Sequence, residues 1–460
     1  MYSCVREKIN QLKIEKMKNN KFLKSIFSMV FFTLCFLPFN SMATDGYFSL
    51  GYGSWNKGAA GVGVGYYHYS LIGGNPAGNV WLGTKYNIGV SVFSPNRQYT
   101  VSGNPSGMPG TFGLVPGTIE SDSKVFIIPS AGANWVFGEK NAFAVALYGN
   151  GGMNTDYPTQ TFHDQSSTTT GVNMGQFFAG FTYSRQLTEK HSLGLTGIAS
   201  YQYFEANGLS NFGGFSSDAT KLTNNGSDNA MGFGFKVGYM GEIVDHLFLG
   251  ATYQSKIYMS EFDEYAGLFA EGGDFDVPAT WTAGLAFEAT DALTLMFDVK
   301  QIFYSGINSV GNPMDLQKNS PTDPLGNPNP NFSPLGSDNG WGFGWEDMTI
   351  FKFGAEYTVE DAWILRGGYS YGNNPVQESE VLFNILAPGV IQNHVALGFS
   401  KLIGNGKSID FSFNYAFSNT VKGWNPLDFD PEQVQQGNFV PNQEIELKMS
   451  QFDVEVGFTF

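Results

Sequence analysis

The chain has 460 residues, of which 42% are hydrophobic and 16% aromatic, and it carries a formal charge of −16. That acidity argues against a nucleic-acid partner, which needs a basic face. Its only cysteines, Cys4 and Cys35, precede residue 44, so the remainder has no disulfide, thiol nucleophile or thiolate metal site.

Taken from the start, Lys13, Lys16, Lys18, Lys21 and Lys24 precede an apolar stretch from 26 to 39, and Ser41-Met42-Ala43 supplies small residues for cleavage. Residues 1–43 therefore read as a removed export signal, its apolar core falling short of the about twenty residues a spanning helix needs. Taking away the leader's seven basic and two acidic residues from totals of 25 and 41 leaves 18 against 39, a charge of −21. No later apolar run approaches eighteen residues, so the apolar side chains must be dispersed by alternation. Residues 44–84 are Gly-rich, with Gly58-Ala59-Ala60-Gly61-Val62-Gly63-Val64-Gly65 and Asn75-Pro76-Ala77-Gly78. They also hold Tyr47, Phe48, Tyr52, Trp55, Tyr66, Tyr67 and Tyr69, too many aromatics for a solvated tail, so the segment is expected to be a hatch lodged in a lumen rather than a disordered leader.

From residue 85 the pattern becomes period-2. Strands are expected at 85–94, 123–137, 141–150, 176–186, 191–204, 230–241, 246–258, 279–289, 292–303, 348–358, 362–372, 393–402, 407–418 and 445–460. Connections alternate between turns of two to four residues and loops of about twenty or more, the asymmetry of short periplasmic turns and long outer loops. An all-β, antiparallel transmembrane barrel of about fourteen strands over 85–460 accounts for this; a soluble sandwich has no reason to segregate its connections. Parity puts Leu295, Phe297, Phe351, Phe353, Phe411 and Phe413 toward lipid, and Asp298, Lys300, Lys352, Glu356 and Asp410 inward. In the last strand Phe452, Val454, Val456, Phe458 and Phe460 have opposite parity to Ile445, Leu447 and Met449, so a bulge or the membrane boundary is expected between 449 and 452. The final Phe460 resembles an outer-membrane insertion signal of a Gram-negative cell.

Ordered motifs run through the whole chain: Ala43-Thr44-Asp45-Gly46-Tyr47-Phe48, Asn75-Pro76-Ala77-Gly78, Phe93-Ser94-Pro95, Ile128-Pro129-Ser130, residues 149–157 beginning Gly149-Asn150-Gly151-Gly152, and Gly342-Phe343-Gly344-Trp345-Glu346-Asp347. On these the chain resembles the FadL family of outer-membrane channels for long-chain fatty acids and aromatic hydrocarbons. The resemblance implies a fourteen-stranded barrel with an N-terminal hatch. It also implies an outer hydrophobic groove from Leu209, Phe212, Phe215, Phe262, Tyr265, Leu268 and Phe269, the last four on one side of a short helix between 261 and 270. A kink in the third strand at Gly149, Asn150, Gly151 and Gly152, contacted by Asn75, Pro76 and Ala77, would open the wall sideways. An ordinary bulge and a simple packing of the two loops are the plainer alternatives.

The expected ligand is a hydrophobic small molecule, a long-chain fatty acid or an aromatic hydrocarbon, with outer-membrane lipid and lipopolysaccharide as surroundings and a monomer as the working unit. Inward cations that could meet a carboxylate are Lys236, Lys300, Lys352 and Arg366, though each could instead pair with an inward acid. Residues 201–205, Tyr-Gln-Tyr-Phe-Glu, lack the basic residue relatives often carry there, which keeps uncharged hydrocarbons in play. Five scattered histidines and no G-x-S-x-G give no nucleophile–base set, and no ligand spacing suggests a metal, so no enzyme and no cofactor are expected. A general diffusion porin is the remaining alternative.

Overall fold

The computed structural model describes residues 44–67, 74–322, 327–359, 362–404 and 406–460; the expected leader, with His68 and Tyr69, lies outside these. Among the described residues fourteen long strands form the wall: β1 Lys85–Ser102, β2 Phe126–Phe137, β3 Asn141–Asn154, β4 Gly171–Gln186, β5 His191–Asn207, β6 Asp228–Val244 and β7 Leu247–Gln254. They continue as β8 Thr280–Glu288, β9 Leu293–Ile302, β10 Met348–Val359, β11 Trp363–Gly372, β12 Asn393–Gly404, β13 Lys407–Trp424 and β14 Glu444–Thr459. Each pairs antiparallel with its successor, and β14 closes on β1 from Glu444↔Ser102 to Thr459↔Asn87. Closure removes the open edges that lipid could not hydrogen-bond.

The period-2 parity is realised. Ile88, Val90, Phe181, Leu195, Phe233, Leu295 and Phe353 are exposed on the outside. Asp298, Lys352, Glu356, Asp410, Ser412 and Asn414 are buried inside. A charge turned toward lipid at mid-depth would cost about 2–4 kcal/mol, which fixes the register of each strand.

In β14 the odd residues face inward along its whole length, so the change of pattern near Ser450 is no slip of that strand. Outside, Glu444, Glu446 and Lys448 give way to Phe452, Val454 and Val456; inside, Ile445, Leu447 and Met449 give way to Gln451, Asp453 and Glu455. The neighbouring β1 changes its outer face at the same height, from Val90 and Val92 to Ser94 and Asn96. This is the membrane boundary; the bulge lies in the facing β13, between Ala416 and Asn419. Above it the strands continue beyond the lipid around an aromatic core containing Phe204, Tyr265, Trp341, Trp345 and Phe383. The expected helix at 261–270 is instead a 3-10 turn, Asp263–Tyr265, and a helical turn, Ala270–Gly273, which Glu271 with φ 57° interrupts.

Candidate functional site

The hatch fills the lumen by backbone contact. Its run from Gly58 to Gly65 lies against inward glycines of the wall: the Gly58 and Gly398 backbones meet, and a Cβ on Gly250 would overlap the Val64 carbonyl. Glycine on both sides permits this approach. Polar anchors complete it. Asp298 accepts the N–H groups of Gly63 and Val64 at 2.8 and 3.0 Å, Trp55 Nε1 donates to Glu356 at 2.9 Å, and Lys57 meets Asp453 and Glu455 at 2.9 Å each.

The start of the hatch is held by charge. Asp45 takes Lys300 at 3.1 Å and Lys352 at 3.0 Å, and Lys352 also donates to the Leu50 carbonyl at 2.6 Å. Arg366 pairs with Glu356 at 3.1 Å and lies over Trp55. Lys300, Lys352 and Arg366 are thus engaged with carboxylates, the two lysines with the hatch rather than with the wall. Lys236 lines a cavity of about 90 Å³ together with Lys300, Lys352 and Asp298.

Asp45 in turn fixes Tyr47 and Phe48 against the kink. On β3 the register with β4 shifts between Gly149 and Gly151, Phe48 bridges to Gly151, and Gly152 N donates to Tyr47 O at 3.0 Å. Tyr52 donates to Asn150 at 2.6 Å, and Asn150 continues through Gln176 to Gln202 at 2.9 Å per step. The expected partner of this kink, Asn75-Pro76-Ala77, is elsewhere. Ser184 and Ser192 donate to the Pro76 and Ala77 carbonyls, and Asn75 Nδ2 donates to Tyr239 O, all near the periplasmic turns. The motif lies there because it starts the 3-10 helix Pro76–Trp81, which leads straight into β1 at the barrel's lower end, out of reach of the kink.

Beside the kink the wall has a seam. The β2–β3 ladder runs from Phe137↔Asn141 to Ala131↔Leu147 and stops, although β2 stays paired with β1 up to Phe126. Continuing that register would set Pro129, which has no N–H to give, opposite Gly149. A cavity of about 190 Å³ opens here. Its lining includes inward residues (Lys57, Arg97, Tyr148, Asp453) and outward ones (Ile127, Phe177, Tyr203), so it reaches both faces of the wall.

The seven residues expected along an outer groove do not line an open one. All are buried except half-buried Phe215. Phe262, Tyr265 and Phe269 pack on Phe204 with ring centroids at 4.6–5.7 Å, and Phe212 contacts Phe112, Phe162 and Trp341. The two loops close over the strand ends, and their aromatic faces cover one another.

Sequence reasoning missed Asp45, Lys57, Arg97 and the loop 373–392, whose Val381, Leu382, Phe383, Ile385 and Leu386 are buried and whose Ala387, Pro388 and Gly389 line the cavity. The apolar run Val381-Leu382-Phe383 in a supposed outer loop was the available signal.

No curated protein matches the sequence. The fold is similar to that of the Pseudomonas putida toluene transporter TodX (TM-score 0.61, 17% identity, 90% of this chain and 99% of that one). It is also similar to the Ralstonia pickettii toluene transporter TbuX (0.57, 16%, 89% and 98%) and a Pseudomonas aeruginosa FadL homologue (0.60, 15%, 90% and 98%). Identities this low speak for a shared fold alone. The model of the family described as outer membrane protein transport protein (OMPP1/FadL/TodX) matches residues 68–436. With a barrel, a lumen-filling hatch and most of its length matched, the chain belongs to that outer-membrane transport family.

Proposed function

We propose that the protein is a passive channel for hydrophobic small molecules, long-chain fatty acids first among them, which enter through the outer loops and leave sideways into the membrane at the β2–β3 seam. One observation carries the reading: a single cavity is lined from both faces of the wall where the ladder stops. An apolar solute gains about 0.8 kcal/mol per sheltered methylene, so a passage that keeps it out of water lowers its barrier. The outer loop core around Phe204, Phe212 and Phe262 captures the solute by parting. The Asp45–Ser49 segment of the hatch gates the seam, and Asn75-Pro76-Ala77 anchors the hatch below it. The channel works as a monomer, surrounded by lipid and lipopolysaccharide, and performs no chemistry on its cargo.

Locking the seam tests this. Ile128→Cys with Gly149→Cys brings two thiols across it, since a Cβ on Gly149 would lie 2.8 Å from Ile128 Cγ2. Uptake of labelled palmitate by cells is expected to fall on oxidation and return on reduction. Uptake indifferent to the cross-link would exclude the lateral route.

Monoaromatic hydrocarbons are the second reading. An apolar cavity of about 150 Å³ can hold benzene, and 190 Å³ is below the about 300–1,000 Å³ of drug-sized sites. TodX and TbuX are named as toluene transporters. Labelled toluene in the same assay separates the two.

A further inference from the structure

We propose that Arg97 is the anchor for the anionic head of a single-chain amphiphile, a carboxylate whose tail passes through the seam; this rests on the channel reading above. Arg97 is only 6% exposed and its side chain lines the seam cavity. Among the described residues its Nη1 has no hydrogen-bond partner and its guanidinium forms no ion pair. The inward charges nearby are otherwise matched: Lys57 with Asp453 and Glu455, Lys300 and Lys352 with Asp45. Its Cζ lies 5.9 Å from the centre of the Phe126 ring, at the outer end of β2.

Depth supports the assignment. Arg97 pairs with Met449, one residue above Ser450, where the outer faces of β14 and β1 change from polar to apolar. A guanidinium there sits at the level of the lipid head groups. Below it, toward the periplasm, the cavity offers Phe126, Ile128 and Tyr148 and then the unpaired stretch of wall. A fatty acid could therefore keep its carboxylate on Arg97 at the interface while its tail swings out into hydrocarbon, with neither end crossing an environment foreign to it. A buried guanidinium left without an acceptor is costly, and a carboxylate supplies two oxygens in the geometry the fork prefers. A neutral hydrocarbon would not satisfy it.

The test is a selectivity ratio, measured with the full barrel in non-ionic detergent as equilibrium binding of labelled hexadecanoate and hexadecan-1-ol at pH 8. Wild type is expected to prefer the acid by about tenfold or more. Arg97→Met should bring the ratio to within about twofold by weakening the acid alone, and Arg97→Lys should keep a preference. A packing defect would weaken both ligands together. If Arg97→Met fails to give the folded, heat-modifiable form, Arg97→Gln replaces it with the same expectation. Equal affinities in wild type, or an acid preference that survives loss of the charge, would overturn the assignment while leaving the channel reading standing. Binding of neither ligand would overturn both.

Discussion

Asp45 joins two lysines of the wall to the first residues of the hatch, and the next four residues reach the kink. Its partners Lys300 and Lys352 are themselves deeply placed, so removing the carboxylate leaves two charges without a counterion. Breaking a buried pair costs about 3–5 kcal/mol. Asp45→Asn should therefore free the Tyr47–Phe48 contact with β3, seen as faster hydrogen exchange in the peptide containing residues 45–52 with little change in the β11–β14 peptides. Gly250 makes a different demand. Valine there would occupy the space of the Val64 carbonyl, so Gly250→Val should dislodge the hatch and raise ion conductance in planar bilayers; unchanged conductance would mean that the hatch can shift to accept it.

Strands were the legible elements. Lipid outside and a packed lumen inside impose opposite chemistry on alternate residues, and each of the fourteen expected strands overlaps an observed one. What pairs with what across the lumen was not legible. Lys300 meets Asp45, 255 residues away, and nothing local in either stretch encodes that. The same holds for the kink: Gly149, Gly151 and Gly152 could be marked from their missing side chains, but their partners Tyr47 and Phe48 were set by hatch geometry. The outer loop between β7 and β8 carries a testable titration. Burial and then the neighbouring Asp276, itself paired with Lys256 at 2.6 Å, raise the Asp274 carboxyl to about 7 from 3.8. A pKa raised by folding contributes stability that is complete below about 3.8 and is lost as pH rises through about 7. Hydrogen exchange in residues 260–279 should accelerate between about pH 4 and pH 7.5 beyond the intrinsic pH effect and level off above that, and Asp274→Asn should flatten that excess.

At the scale of the molecule the wall and the hatch are separable in principle, because the closing ladder between β14 and β1 involves no hatch residue. Deleting residues 44–67 is expected to leave a heat-modifiable barrel with steady ohmic conductance, whereas the intact protein should conduct little. High conductance of the intact protein would instead favour a general diffusion pore. The changeover at Ser450 also sets how thick a membrane this chain can occupy. Sixteen residues of β14 are extended, yet the oily coat covers only the nine from Phe452 to Phe460. At about 3.3 Å per residue and a tilt of about 40° they span roughly 23 Å of vertical height. Most of the remaining strand is a turret standing in water, so the barrel suits a thin hydrocarbon slab and would be stranded in a thick one.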